Sequence, residues 1–320
     1  MRAEFYRDYF EIEERHWWFR GRRAIFLRLL DRYLPQGDPG ERRLLDVGCG
    51  SGAMLTHLER YGSPTGIESD DEAVRQSRLR GIDAVKLADA PPLPFEDESF
   101  DLVTALDVLE HVDDDLELLR EVERTLRPGG MLLLSVPAYR FLWGLQDEVA
   151  QHRRRYVARE VRERVVAARL ELGRLSYFNT ILFPPIAIVR LIGRIRPPSD
   201  RMSDFDMTAP GTLNDLLARV FASESRLLDR VDLPFGVSVV GLAYKPGGPA
   251  RGRTEQSVVT EGVALAIDAA GEARRRRGRG PRPRPPPISG GCRLRRRRPR
   301  AHRATRPRGQ GACRRSCSAQ

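Results

Sequence analysis

The chain has 320 residues, 41% of them hydrophobic, enough to bury the core of one large or two modest domains. Its net charge of +11 belongs to the end of the chain: residues 273–320 hold 18 Arg and no Lys, Asp or Glu, and subtracting those charges leaves −7 for residues 1–272, so a nucleic-acid partner has a footing only in the tail. Four scattered cysteines exclude a disulfide framework and fit a reducing cytoplasm. No run of about 18 uncharged apolar residues is available to span a membrane, and the charged, aromatic start has no apolar leader segment.

Residues 4–34 are predicted helical, and residues 1–40 are expected to form an N-terminal helical lid. His16-Trp17-Trp18-Phe19 is unusual there, because three adjacent aromatics cannot share one helix face. They cap the core, cover a ligand, or anchor at a membrane interface. A Pro/Gly/Asp/Arg linker over 35–42 leads to Leu44-Leu45-Asp46-Val47-Gly48-Cys49-Gly50-Ser51-Gly52. An apolar run enters three alternate glycines, and a helical pattern follows over 53–60. Bare backbone at such a turn lets a ligand approach the main chain closely. Glu68 ends the next apolar stretch, 20 positions after Gly48, the distance at which an acid at a second strand tip accepts from ribose hydroxyls. The third glycine comes one residue too early for the dinucleotide fingerprint, which argues against NAD.

A helix is predicted over 70–80 and a short strand over 84–87, leading to Asp89-Ala90 and the irregular loop 91–95. A buried strand over 100–105 runs into Leu106-Asp107-Val108-Leu109-Glu110-His111-Val112. The apolar periodicity over 116–126 predicts an amphipathic helix, stopped by Arg127-Pro128-Gly129-Gly130. Met131–Val136 reads as a strand covered on both faces. This alternation implies a doubly wound α/β fold, with the ligand site at the C-terminal strand ends. Gly48–Gly52, Glu68, Asp89 and Asp107–His111 all fall on that edge. Residues 138–196 break the alternation as a substrate-side insertion. Within it, 159–172 reads as a helix and 173–182 as strand-like. Thr180–Ile195 either packs between the last two strands or forms an interfacial patch that touches a membrane periphery and admits a lipid-like acceptor. A polar loop over 196–211, a helix over 213–229 and a final strand over 237–244 complete the domain near 249. The Arg/Pro/Gly composition of 250–320 predicts disorder, and is also what a high-GC coding sequence yields when its frame is lost. Cys292, His302, Cys313 and Cys317 lack a close C-x-x-C pair, so no metal site is expected.

Residues 45–52 resemble the first motif of class I S-adenosylmethionine (SAM) dependent methyltransferases. Asp89 with Leu93-Pro94-Phe95, Ser99–Val103, and Leu126–Gly130 are similar to that family's adenine-side motif, fourth strand and turn before the fifth. The resemblance covers roughly 43–137. The flanks, His16–Phe19 and the His-Arg-rich run ending in Tyr156, resemble a type 11-like bacterial subgroup. The resemblance implies a Rossmann-like seven-stranded sheet over 41–249 with its last strand antiparallel. It implies SAM as cofactor, bound by Asp46, Gly48, Cys49, Gly50, Gly52, Glu68, Asp89, Ala90 and Asp107, and methyl transfer to O or N of a small-molecule or lipid-linked acceptor. His111 is the first candidate general base and His152 the second. Arg154 and Tyr156 are candidates to hold an anionic substrate group. The rival readings are a NAD-dependent reductase and a non-catalytic SAM- or nucleic-acid-binding protein.

Overall fold

The computed structural model describes residues 12–195 and 211–247. The chain divides into two units, Met1–Ser257 and Val258–Gln320. The tail read at 250–320 lies outside the described residues, as do residues 4–11 of the predicted first helix and all of the 196–211 loop except Gly211.

Seven strands make one sheet: β1 (Arg43–Val47), β2 (Ser63–Glu68), β3 (Val85–Leu87), β4 (Phe100–Leu106), β5 (Leu126–Pro137), β6 (Glu171–Phe178) and β7 (Ser238–Tyr244). Their order across the sheet is β3-β2-β1-β4-β5-β7-β6. Pairing is parallel from β3 through β5, whereas β7 is antiparallel to both neighbours. The sheet is therefore of the expected kind, with the last strand in sequence inserted between β5 and β6. Because the order reverses between β1 and β4, the chain leaves these adjacent strands in opposite directions and opens a crevice at their C-terminal ends.

Helices cover both faces. On one face α4 (Asp115–Thr125) and α6 (Ala158–Ala167) bury Leu118, Leu119, Val122, Val161 and Val165 against Leu45, Val103 and Leu134. On the other, α1 (Trp17–Tyr33), α2 (Ala53–Leu58), α3 (Asp71–Leu79) and α8 (Gly211–Leu228) pack on Leu44, Leu102 and Leu133. Leu44 and Leu45 thus enter opposite cores, as the period of two in a strand requires. Asp70 and Asp114 start α3 and α4, each accepting from two backbone N–H groups of the first turn, a cap that contributes about 1 kcal/mol.

The first helix is shorter than expected, with Glu13–His16 forming a turn before Trp17. The helix expected over 159–172 ends at Ala167, and the strand expected from 173 begins at Glu171. Arg169 adopts φ 65° and reverses the chain. Pairing of Glu171 with Tyr244 then decides the conformation, overriding local helix propensity. Thr180–Ile195 does not lie between the last two strands. It contains α7 (Phe183–Ile195), with Pro184 and Pro185 in the first turn, where a missing N–H leaves no intrahelical bond unmade. Ala187 of α7 packs with Leu142 and Val237, while Ile188, Val189, Leu191 and Ile192 stay exposed.

The first helix is clamped by the eighth. Trp17 and Trp18 meet the Phe221 ring edge-on and tilted, Arg20 pairs with Asp215, and Arg28 pairs with Asp229. A Cβ on Gly21 would stand 2.3 Å from Cδ1 of Phe221, so the glycine sets how closely α1 and α8 approach. Gly21→Val is expected to destabilise the protein by about 1–3 kcal/mol through overpacking; thermal unfolding checks this, and an unchanged midpoint would refute the close contact.

Candidate active site

A cleft of about 1490 Å³ opens over the C-terminal ends of β1, β2, β4 and β5. A single-ligand pocket is typically roughly 300–1,000 Å³, so this one has room for two molecules. One wall is the Gly turn. Gly48, Gly50 and Gly52 have φ of 65°, 55° and 78°, the left-handed region that side chains disfavour. Beyond the neighbouring residues, a Cβ built on Gly50 meets nothing closer than the Glu13 carboxylate at 4.0 Å, so its main chain is bare toward the cleft. Glu68 closes β2 beside it. Its Oε2 accepts from Gly50 N (3.0 Å) and its Oε1 from Ser69 N and Asp70 N (2.8 and 3.1 Å), which ties the two strand tips together. Asp89 and Ala90 line the same end. Asp46 lies beneath the turn and accepts from Thr104 Oγ1 at 2.5 Å; burial raises its pKa to about 7. Cys49 is buried, and burial pushes its thiol far up, so it is inert as a nucleophile.

The lid supplies residues that sequence reasoning missed. Glu13 accepts from Ser51 Oγ and pairs with Arg80 at 3.2 Å, directly over the Gly turn. Arg22 donates to Asp107, whose other carboxylate oxygen accepts from Ser135 Oγ at 2.9 Å. Asp107 ends β4 with φ 59°, a strained conformation for a residue with a Cβ. Trp18, Arg22 and Phe26 all line the cleft. Their spacing of four residues on one helix face was the available signal. Trp17 and Trp18 pack against the core on this face of the sheet and also line the cleft.

The opposite wall joins the turn after β4 to residues 144–156, which include α5 (Leu145–Val149). Arg153 N donates to Glu110 O at 2.8 Å, and Tyr139 N to Tyr156 O at 2.9 Å. His111 and His152 meet edge to face with ring centroids 4.7 Å apart. Burial, with His152 adding to it, lowers the His111 pKa to about 4. His111 is therefore neutral near pH 7, with one ring nitrogen able to accept a hydrogen bond, but it is too weakly basic to hold a substrate proton there. His152 Nδ1 faces Asp147 Oδ1 at 2.9 Å. Asp147 is fully buried and also accepts from Gly144 N and, through both oxygens, from Arg155. Burial alone would raise its pKa, but the bonds from His152 and Arg155, with the charges of Arg155 and Arg190, hold it well below the usual carboxylate range.

Arg154 and Tyr156 do not fit a substrate role. The Tyr156 hydroxyl is buried, its one proton lying between two acceptors, Asp115 Oδ2 (2.9 Å) and Leu109 O (3.1 Å); Arg154 bonds the carbonyls of Val112 and Asp113. Both hold the loop after β4, whereas Arg153 and Arg155 line the cleft. A surface ion pair describes Arg153 alone, which meets Asp113.

A family model described as a methyltransferase domain matches residues 45–134. This stretch is therefore similar to a methyltransferase domain. An uncharacterized 37.1 kDa protein in transposon TN4556 of Streptomyces fradiae is 33% identical over 193 residues, covering 57% of this chain and 54% of that protein. A ubiquinone biosynthesis O-methyltransferase of Xanthomonas oryzae pv. oryzae is 37% identical over 113 residues, 33% of this chain and 47% of the relative. A 27-O-demethylrifamycin SV methyltransferase of Amycolatopsis mediterranei is 38% identical over 102 residues, 29% of this chain and 38% of the relative. The chain thus spans about half the length, or less, of the curated relatives it matches. No helix among the described residues is long and apolar enough to cross a membrane.

His16 caps α1 by accepting from Trp18 N at 3.2 Å, and burial lowers its pKa to about 4. The unfolded chain takes up this proton near pH 6.5, so His16 costs stability progressively as pH falls from about 6.5 to 4, by at most about 3 kcal/mol. His16→Asn retains a capping oxygen without a titrating group. Urea unfolding at pH 7 and pH 4.5 is expected to show a smaller acid loss in this variant; an equal loss would exclude His16 as a source.

Proposed function

We propose that the protein transfers the methyl group of SAM to an oxygen of a small or lipid-linked acceptor with an apolar body. The bare main chain at Gly50 in the Gly48–Gly52 turn, facing Glu68 at the next strand tip, carries this reading. The cleft fits the cofactor on its own chemistry. The open main chain at Gly50 admits the methionine portion, and a cationic amine arriving beside Asp46 would offset the burial that raises its pKa and draw it into the ionised form. Glu68 would take the ribose hydroxyls, and Asp89 with Ala90 the adenine edge. Bound there, SAM supplies an electrophilic methyl on a sulfonium.

The chain's own residues position the partners and exclude water. Trp17, Trp18 and Phe19 roof the cleft, and a sulfonium is a soft cation that aromatic faces tolerate. Asp107 ties the lid to the β4 tip through Arg22 and stands at the meeting of the cofactor and acceptor sides. We assign neutral His111 to accept a hydrogen bond from the acceptor hydroxyl, whose proton passes to solvent as the methyl–oxygen bond forms and the methyl–sulfur bond breaks, in place of the general-base role read from sequence. The two O-methyltransferase names among the relatives support oxygen as the acceptor atom. The apolar acceptor rests on α7, which lines the cleft with Ile186 and Val189 and leaves Ile188 and Ile192 exposed. That same face suits contact with a membrane periphery in the cytoplasm.

Incubation with methyl-labelled SAM and an extract of the source organism tests the reading, with products split into aqueous and organic phases. Label is expected in an organic-soluble product. Glu68→Gln keeps one accepting oxygen for the loop N–H groups but loses the charge, and should weaken SAM binding about tenfold to a hundredfold, or ~1.4–2.8 kcal/mol. Unchanged affinity in a folded variant would remove the ribose assignment, and absence of any labelled product would count against transfer.

A further inference from the structure

We propose that Glu110, His111 and His152 form a binding site for one divalent first-row transition-metal ion at the acceptor end of the cleft. Each offers one ligand atom, and these atoms lie within 4.8 Å of one another. Donors about 2.1 Å from one ion stand roughly 3.4 Å apart in a tetrahedral site, so a closure of at most about 1.4 Å suffices. All three residues line the cleft, which leaves a further coordination position open to it.

The carboxylate supplies an independent reason. Glu110 is 0% exposed, and no other described residue donates to either of its oxygens. A buried carboxylate without donors is costly, and the nearest cationic candidate is itself a ligand type: His152 Nε2 stands 3.9 Å from Glu110 Oε1, too far for a hydrogen bond.

The histidine is also prepared from behind. His152 Nδ1 faces Asp147 Oδ1 at 2.9 Å, and Arg155 holds that carboxylate bidentately. A carboxylate behind one ring nitrogen fixes the tautomer and turns the lone pair of the other toward the ion, the arrangement common around protein-bound metals. Arg153 N to Glu110 O fixes the two segments in register. Two imidazoles and one carboxylate select zinc, cobalt, iron(II) or manganese over magnesium, which prefers oxygen donors. If the methyl-transfer reading holds, the open position would take the acceptor oxygen, replacing the hydrogen bond to His111, whose lone pair the ion then occupies; metal binding itself does not depend on that reading.

Co²⁺ titration of the full chain, without SAM, tests the site by visible spectroscopy. One equivalent is expected to develop a d–d band without thiolate-to-cobalt charge transfer in the near ultraviolet. Glu110→Gln and His152→Gln should each lose the band or weaken Co²⁺ binding at least tenfold. His111→Asn, at a half-buried position on the cleft wall, should do the same if either of those variants misfolds. A band carrying thiolate charge transfer would assign the ion to cysteine instead. Its persistence in all three folded variants, or its absence from the wild type, would overturn the proposal and leave Glu110 a buried neutral acid. Because none of these outcomes involves SAM, they are distinct from failure of the methyl-transfer reading.

Discussion

The contact between Arg22 and Asp107 is the joint on which the cleft depends. Asp107 ends β4 in a left-handed conformation, its N–H donates to Ser135 O on β5 at 2.9 Å, and its carboxylate holds Ser135 on one side and the lid arginine on the other. One residue thus ties two central strands to the first helix. Arg22 is held in turn by the clamp of α1 on α8, where Phe221 fills the space left by Gly21. A group held in a sparsely populated conformation persists only where its surroundings over-determine it, and here three elements do so. The first helix and the tips of β4 and β5 therefore meet at one side chain.

The acceptor side depends on a different kind of interaction. Asp147 is buried with Arg155, His152 and Arg190 around it. Such a network gives little net stability, because desolvating the charges offsets their attraction. Breaking it is costly, however, since a lone buried charge would remain. Its effect is positional: it orients His152 toward Glu110 and anchors α7 through Arg190 to Leu142 O. The apolar outer face of α7 is then presented in a defined orientation beside the cleft.

The Gly-turn side of the cleft was legible in the sequence because its signals are local. The three glycines, Glu68 and Asp89 sit at strand ends that alternation of elements already locates, and the structure brings Gly48–Gly52, Glu68, Asp89, Ala90 and Asp107 to one cleft edge. The acceptor side was less legible because its residues meet only through tertiary pairing. Arg153, Arg154 and Arg155 are consecutive and chemically alike, yet one is a surface ion pair, one braces a loop and one is buried against Asp147. Tyr156 looked like a polar site residue, but its hydroxyl serves Asp115 in the core. Glu110 and His111 are adjacent, and His152 follows 41 positions later, a separation that no spacing rule flags as a cluster. The strand at Glu171–Phe178 was misjudged at its start for the same reason: its partner β7 is some 70 residues away in sequence.

Calorimetric titration of the full chain with S-adenosylhomocysteine, and in parallel with NADH, tests the cofactor assignment most directly. Saturable binding of one S-adenosylhomocysteine per chain is expected, with no heat of binding from NADH. Binding of NADH with no response to S-adenosylhomocysteine, or binding of neither, would contradict the assignment of the Gly48–Gly52 cleft.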